Sequence, residues 1–292
     1  MKRETLITKT SGAVVPFSEE KLRTSLQRSG ASKDVIDSIL LEIKSKLFEG
    51  ITTKKIYGMA FHLLKQRSKH VAAKYKLKNA IMELGPSGYS FESFVAEILQ
   101  HQGYITKVSQ IVAGECVNHE IDVIAEKDNR YCMIECKYHN QPGTMSDVKI
   151  PLYIQARFKD VEKFWKTLPG HDKMTHQGWV VTNTKFTSDA VKYGTCAGLT
   201  LLSWDHPKGK GLKDLIDNSG LYPITCLTTL SKIEKQRLLD AKIVMSKDIN
   251  EDQQILEKIG IKGNRLLAVI NEVRNLALGG ANVVKEKSEE IK

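Results

Sequence analysis

The chain has 292 residues, with 44 Lys+Arg against 34 Asp+Glu, a net charge of +10 and a hydrophobic fraction of 41%. That apolar content excludes intrinsic disorder, and the lack of any long uncharged apolar run excludes a membrane-spanning helix. Single cores stop growing near ~250–300 residues, so the length predicts two or three domains. Five cysteines, an odd and sparse count, point to a reducing, cytoplasmic compartment. The stretch MKRETLITKTSG is basic but has no apolar run behind it, unlike a secretory signal. Charge is uneven: residues 1–86 carry +9, 87–206 carry −2 and 207–292 carry +3. A basic excess of this size predicts a polyanionic partner, and the unevenness predicts three units with those boundaries.

Segment 1–86 opens with two short strands, Thr5–Thr8 and Ala13–Phe17, turned at Ser11-Gly12. Ser18 then caps a helix with Glu19 and Glu20 in its first turn, where the helix dipole favours acids. Helical periodicity continues over Asp34–Phe48 and Thr53–Leu84, broken at Gly30 and Gly50. Gly85-Pro86-Ser87-Gly88 is the strongest punctuation in the chain and marks a domain boundary.

Segment 87–206 alternates between the two periods. A helix over Ser90–Gln102 carries an apolar stripe at Phe91, Phe94, Val95, Ile98 and Leu99. Strands follow at Tyr104–Val112, Glu120–Ala125 and Tyr131–Tyr138, then a helix over Ser146–Thr167. A buried strand Gly178–Thr182, a helix Ser188–Ala197 and a strand Leu199–Ser203 complete it. Such alternation predicts an α/β sheet covered on both faces. Segment 207–292 begins with a PKGKG linker and reads as helical, with similar runs at Ile224–Ile243 and Gln253–Leu276. Its last ten residues, charged and unpatterned, predict a frayed tail.

The chemistry concentrates in His119-Glu120-Ile121-Asp122-Val123-Ile124 and Cys132-Met133-Ile134-Glu135-Cys136-Lys137. If Asp128-Asn129 is a two-residue hairpin turn, Asp122 lies opposite Glu135. Directly opposed carboxylates are destabilising. A hard divalent cation removes that penalty and leaves positions for water and phosphate. Lys137 shares a strand face with Glu135, where an ammonium can act on a metal-held water.

This Asp–x(12)–Glu–x–Lys arrangement resembles the PD-(D/E)xK nuclease superfamily. The surrounding words, Gly88-Tyr89-Ser90-Phe91-Glu92, Gly103-Tyr104, His119 to Val123 and Glu135-Cys136-Lys137-Tyr138, resemble the Mrr-like restriction endonucleases over about Tyr89–Asp205. Ile121 stands where the superfamily nominally has proline. The resemblance implies a restriction-endonuclease-like mixed sheet flanked by helices. It also implies Mg²⁺ on Asp122 and Glu135, support from Glu92, and Lys137 acting on water, with DNA as the partner.

Cys116-x-x-His119 and Cys132-x-x-x-Cys136 have spacings compatible with zinc, but strand periodicity turns both Cys132 and Cys136 away from Glu135 and Lys137. Gln155 and Arg157 on the following helix are further phosphate-contact candidates, or simply a helix surface. His119 is a polar neighbour of the hairpin or an orienter of water.

Segment 1–86 resembles an ATP-cone, a small regulatory nucleotide-binding domain. The words that carry this are Leu6-Ile7-Thr8-Lys9, Gly12, Val15-Pro16-Phe17, Glu20-Lys21-Leu22, Gly30-Ala31 and Thr52-Thr53-Lys54-Lys55-Ile56-Tyr57. The resemblance implies ATP or dATP lined by Ile7, Thr8, Lys9, Lys21, Thr53 and Tyr57. Thr10 and Val15 depart from the family's usual Arg and Glu. Without a Gly-rich Walker loop the sequence does not support a motor.

Lys65, Arg67, Lys69, His70, Lys74, Lys76 and Lys78 form a basic helix able to follow a phosphate backbone, or an ordinary solvated face. Leu256–Asn264, with its Gly260-Ile261-Lys262-Gly263 turn, looks like a helix-hairpin-helix, a DNA-contacting or dimerisation element. Two functions from different classes follow. One is an Mg²⁺-dependent DNA endonuclease under nucleotide control. The other is a nucleotide-responsive DNA-binding regulator with an idle nuclease fold. A homo-oligomer fits either.

Overall fold

The structure is a computed structural model that describes residues 5–9, 11–85 and 88–289, the stretch 278–289 as backbone. Thr10, Pro86 and Ser87, on which sequence expectations fell, lie outside the described residues, as do 290–292. The chain divides into two compact units, one of residues 1–80 with 222–292 and the other of residues 81–221. Most of the first sequence segment and residues 222–292 of the third thus share one unit.

At the N-terminus, β1 (Leu6–Thr8) pairs antiparallel with β2 (Val14–Pro16) and parallel with β3 (Ile51–Thr52). The turn between β1 and β2 needs Gly12 at φ +83°. Ser18 accepts the Lys21 amide and starts α1 (Glu19–Arg28) as its spacing predicts. There follow α2 (Lys33–Ser45), α3 (Thr53–Arg67), α4 (Lys69–Tyr75) and α5 (Leu77–Met82). The expected single helix over 53–84 is therefore three. Ser68 adopts extended backbone (φ −156°, ψ 109°), which ends α3 and starts α4.

In the middle unit, α6 (Tyr89–His101) buries the predicted stripe at Phe91, Phe94, Val95, Ile98 and Leu99. Then come β4 (Ile105–Ala113), β5 (Asn118–Lys127), β6 (Arg130–Lys137) and β7 (Met145–Ser146). After α7 (Lys149–Trp165) follow β8 (Thr175–Thr182), β9 (Lys185–Phe186), α8 (Ser188–Cys196), β10 (Thr200–Leu202) and α9 (Leu212–Ser219). The main sheet has the order β10-β8-β6-β5-β4, antiparallel through β4-β5-β6 and parallel through β6-β8-β10. Ile154, Phe158, Val161 and Trp165 of α7 and Ala190 of α8 close one face over Met133, Val180 and Leu201. On the other side α6 packs against β4, β5 and β6. This is a restriction-endonuclease-like mixed α/β fold. Residues 207–221, expected to open the tail domain, belong to this unit, because α9 buries Leu212 and Ile216 and packs on α6.

The C-terminal segment returns to the first unit as α10 (Lys232–Asp240), α11 (Ser246–Glu251), α12 (Gln254–Lys258) and α13 (Gly263–Glu289), with α13 against α4. The last ten residues, expected to fray, are helical backbone up to Glu289. Two turns between helices repeat the same backbone geometry here at an offset of eighteen residues. Lys242 and Gly260 both take positive φ (63° and 90°). The Ile243 amide donates to Leu238 O at 2.9 Å, and Ile261 to Leu256 O at 3.0 Å. The left-handed residue and its backward amide bond close a helix without an extra residue. Only the second turn uses glycine, which is why the sequence marks one hairpin and hides the other.

Candidate active site

The hairpin that positions the acidic pair is built as its sequence dictates. Asp128 and Asn129 both sit at positive φ (48° and 59°), the type I′ geometry that matches strand twist. The register runs from Lys127↔Arg130 to Val123↔Ile134, so the next position brings Asp122 opposite Glu135. There the ladder opens. Glu135 keeps only its pairing with Val180 of β8, which β6 follows along its whole length, while the Cys136 amide donates to Asp122 Oδ2 at 2.7 Å.

On the other side of β5 the ladder also breaks. Val108↔Val123 and Gln110↔Ile121 flank the break, and Ser109 between them has φ +51°. A non-glycine residue in that region is strained, and it sits across from Asp122. Ser109 Oγ donates to Glu92 Oε2 at 3.2 Å, which ties α6 to the site. Nothing in the alternating Ile105–Ala113 pattern marks this kink, and sequence reasoning missed it.

The electrostatics are those of an acidic cluster short of cations. Burial first, and repulsion from Glu135 second, push the Asp122 carboxyl up to about 7, against the pull of the Cys136 amide. Glu92 is also raised, by burial and by Glu120 and Glu135, with the Ser109 bond opposing. Arg157 of α7 provides the one direct counter-charge to Glu135 among the described residues, Nη1 to Oε2 at 2.7 Å. Its other nitrogen donates to the Glu120 carbonyl, and its guanidinium lies 5.5 Å from the Tyr153 ring centroid. Arg157 is thus a partner of Glu135, a pairing that sequence spacing did not assign. Its neighbour Gln155 has a buried Oε1 without a hydrogen-bond partner.

Lys137 stands one turn of the pleat beyond Glu135, at the register position of Thr182, and forms no ion pair among the described residues. Cys132 and Cys136 are buried on the opposite face, as periodicity predicts, so they cannot join Cys116 in a zinc site. His119 is engaged elsewhere, with Nε2 2.8 Å from Asp160 Oδ2.

The structure therefore brings Asp122, Glu135, Glu92 and Lys137 to one end of the β5–β6 hairpin. Two oxygen-donor carboxylates that repel each other, one with its proton affinity raised, suit a hard cation such as Mg²⁺.

A second site lies in the first unit. A cavity of about 200 Å³ is walled by Ile7, Phe17, Leu22, Ile56, Tyr57 and Tyr75, with Thr53 beside them and Lys9 and Lys21 at its edge. Tyr57 stacks on Tyr75 at 4.9 Å, and burial holds the Tyr75 phenol up to about 12. Five of the six residues expected to line a nucleotide converge here. Thr8 does not, because strand alternation turns it away and its hydroxyl faces Gly50 O at 3.4 Å.

Family models match this chain in three places. They are an ATP cone domain over 5–81, a restriction endonuclease (Mrr catalytic) domain over 85–206, and an AF1548-like C-terminal domain over 222–277. An uncharacterized protein of Archaeoglobus fulgidus is 38% identical over 183 residues, covering 62% of this chain and 99% of that protein. The crystal structure of AF1548, a protein of unknown function, is similar with a TM-score of 0.54 and 38% identity, over 66% of this chain and all of that one. Can2 from Sulfobacillus thermosulfidooxidans, in complex with cyclic tetra-adenylate, is 13% identical with a TM-score of 0.30, over 68% of this chain and 54% of that one. The chain belongs to the AF1548-like family, and it joins an ATP cone to a restriction endonuclease domain.

Proposed function

We propose that this protein is an Mg²⁺-dependent DNA endonuclease of restriction type whose activity responds to ATP or dATP bound in its cone. The observation that carries the reading is the Asp122–Glu135 pair, opposed at the open end of a ladder, with Asp122 pushed up to about 7. A scaffold gains nothing from such a pair, and like charges across a sheet cost stability.

In this reading Asp122 and Glu135 hold the metal and Glu92 supports them from α6. Mg²⁺, when bound, polarises a phosphodiester oxygen and lowers the pKa of a water. Arg157 pins Glu135 Oε2 and the Cys136 amide pins Asp122 Oδ2, so in this reading the second oxygen of each carboxylate is the one offered to the metal. Lys137 orients the attacking water and balances the charge that builds on the phosphate.

In the cone, the flat apolar walls suit a nucleobase and the two edge lysines suit its phosphates. The exposed Lys258 and Lys262 beside Gly260 supply sequence-independent backbone contacts in the tail. Incubation of supercoiled plasmid with the protein and Mg²⁺, with and without ATP, tests the proposal. Nicking that needs Mg²⁺ and shifts with ATP is expected. Intact plasmid under all conditions returns the protein to the idle-fold regulator.

A further inference from the structure

Past the acidic pair, β6 is held mainly from one side. Its ladder with β5 ends at Val123↔Ile134, so Glu135, Cys136 and Lys137 lean on β8, with the Cys136 amide bonded back to Asp122. The ladder with β8 ends in turn at Lys137↔Thr182. There the backbone of β8 turns away. The Thr184 amide folds back on Thr182 Oγ1 at 3.3 Å, and Thr184 O accepts the Trp204 amide at 3.0 Å.

The Asn183 side chain takes over where the backbone leaves. Its Oδ1 accepts the His139 amide at 2.8 Å, and its Nδ2 donates to the His139 carbonyl at 2.7 Å. A carboxamide carries acceptor and donor in one plane, as a peptide group does, so it closes both bonds on a single residue. The same Nδ2 lies 3.1 Å from Met82 Sγ. Asn183 is 1% exposed, so water does not compete for these bonds, and a buried polar group with its partners in place is rigid. Between Lys137 and His139, the Tyr138 hydroxyl donates to Met82 O at 2.6 Å and accepts the Gly85 amide at 2.9 Å.

We propose that Asn183 is the positioning residue for Lys137, an assignment that rests on the nuclease reading. The clamp on His139 fixes the chain two residues beyond Lys137, and so fixes the point from which the ammonium reaches the metal-held water. Without it, Lys137 would be the last backbone-paired residue of β6. A misplacement of about 1 Å at a reacting group costs up to ~10²-fold in rate. His139 has a second anchor through its ring, Nε2 to Ser146 Oγ at 2.9 Å, which leaves the backbone clamp untouched.

Full-length Asn183→Ala, at saturating plasmid and Mg²⁺, is expected to lower kcat for nicking by roughly 10–100-fold. The Mg²⁺ concentration for half-maximal rate should stay unchanged, the pattern of an interaction felt only in the transition state. Hydrogen exchange should show the His139 amide losing protection while the amides of Cys132, Met133 and Ile134 keep theirs. Ser146→Ala should nick at the wild-type rate. Where circular dichroism shows the alanine variant unfolded, Asn183→Ser, which keeps a polar group too short to span His139, repeats the test. A folded Asn183 variant with wild-type kcat overturns the assignment. So does an equal loss in Ser146→Ala, which would make loop order the cause, or a raised Mg²⁺ requirement, which would put the damage at Asp122 and Glu135. Wild type that never nicks is a separate result, since it removes the nuclease reading and this assignment with it.

Discussion

The two units prepare for charged ligands in opposite ways. The unit of residues 1–80 and 222–292 carries 29 Lys+Arg against 17 Asp+Glu, a net of +12, whereas residues 81–221 carry −2. In the first, a largely apolar cavity has two lysines, Lys9 and Lys21, in its lining, so the positive charge waits for an anion at little cost in folding energy. In the second, half-buried carboxylates oppose each other with Arg157 as a partial counterweight, so the fold itself holds the unfavourable charge. A surplus held in solvent is cheap. A repulsion held in the interior persists only where surrounding structure overdetermines it, and here two sheet ladders and the Ser109 kink do so.

Catalysis is where the comparison breaks most sharply. Asp122→Ala or Lys137→Ala is expected to lower Mg²⁺-dependent nicking by about 10²–10⁴-fold or more with the fold retained, since neither side chain packs the core. Circular dichroism and plasmid nicking together check this. Either variant cutting at the wild-type rate removes the assigned site.

The next effect belongs to the cone. Lys9→Ala and Lys21→Ala are each expected to weaken ATP binding by roughly 10–100-fold, the worth of a charge-assisted hydrogen bond. Calorimetry should use the full chain, because α4, which carries Tyr75, also packs on α13. Wild-type protein that gives no heat with any adenine nucleotide leaves the basic unit with DNA alone.

How much of this is legible in the sequence follows from the range of the forces involved. The hairpin is local, so Asp128-Asn129 and the two-residue period suffice to oppose Asp122 and Glu135. The cone lining is legible because it follows short words on one strand and two helix starts. Arg157 on Glu135 is not, since a pairing across 22 residues depends on how α7 lies over the sheet. Ser109 is hidden because no glycine marks its positive φ. The union of the first and last segments is hidden because packing of α13 on α4 leaves no local signature.

A smaller effect tests the stored repulsion directly. Asp122 in the folded state titrates near 7, above an ordinary carboxyl. Its ionisation therefore costs nothing below about pH 4 and costs most above about pH 7, so metal-free stability falls as pH rises through that window. Asp122→Asn should raise the metal-free melting temperature by roughly 5–10 °C at pH 8, for about 2–4 kcal/mol, and leave it unchanged at pH 4. Adding Mg²⁺ at pH 8 should stabilise wild type and not the variant. Equal melting curves at pH 8 would mean the pair stores no repulsion.

The smallest effect concerns where DNA is held. A nuclease unit of net −2 is a poor unaided ligand for a duplex, because each neutralised phosphate needs a lysine or arginine. The second hairpin of the tail is the better candidate. Lys258 and Lys262 are exposed on either side of Gly260, whereas the first hairpin presents Lys242 alone and its exit is tied back, with the Ser246 amide donating to Tyr222 O and Met245 bridged to Pro223. Arg265 is already spent on Glu234, at 2.7 and 3.0 Å, and that guanidinium draws the Glu234 carboxyl down to about 2. In an Asp122→Ala background, Lys258→Ala with Lys262→Ala should reduce the slope of log K against log salt by about 2, since each phosphate neutralised by a lysine accounts for roughly 0.9 of it. Arg265→Ala should leave the slope almost unchanged while lowering stability. Equal slopes for the double variant and its parent would mean that the hairpin touches no phosphate, and the affinity would then have to come from the basic face of the cone.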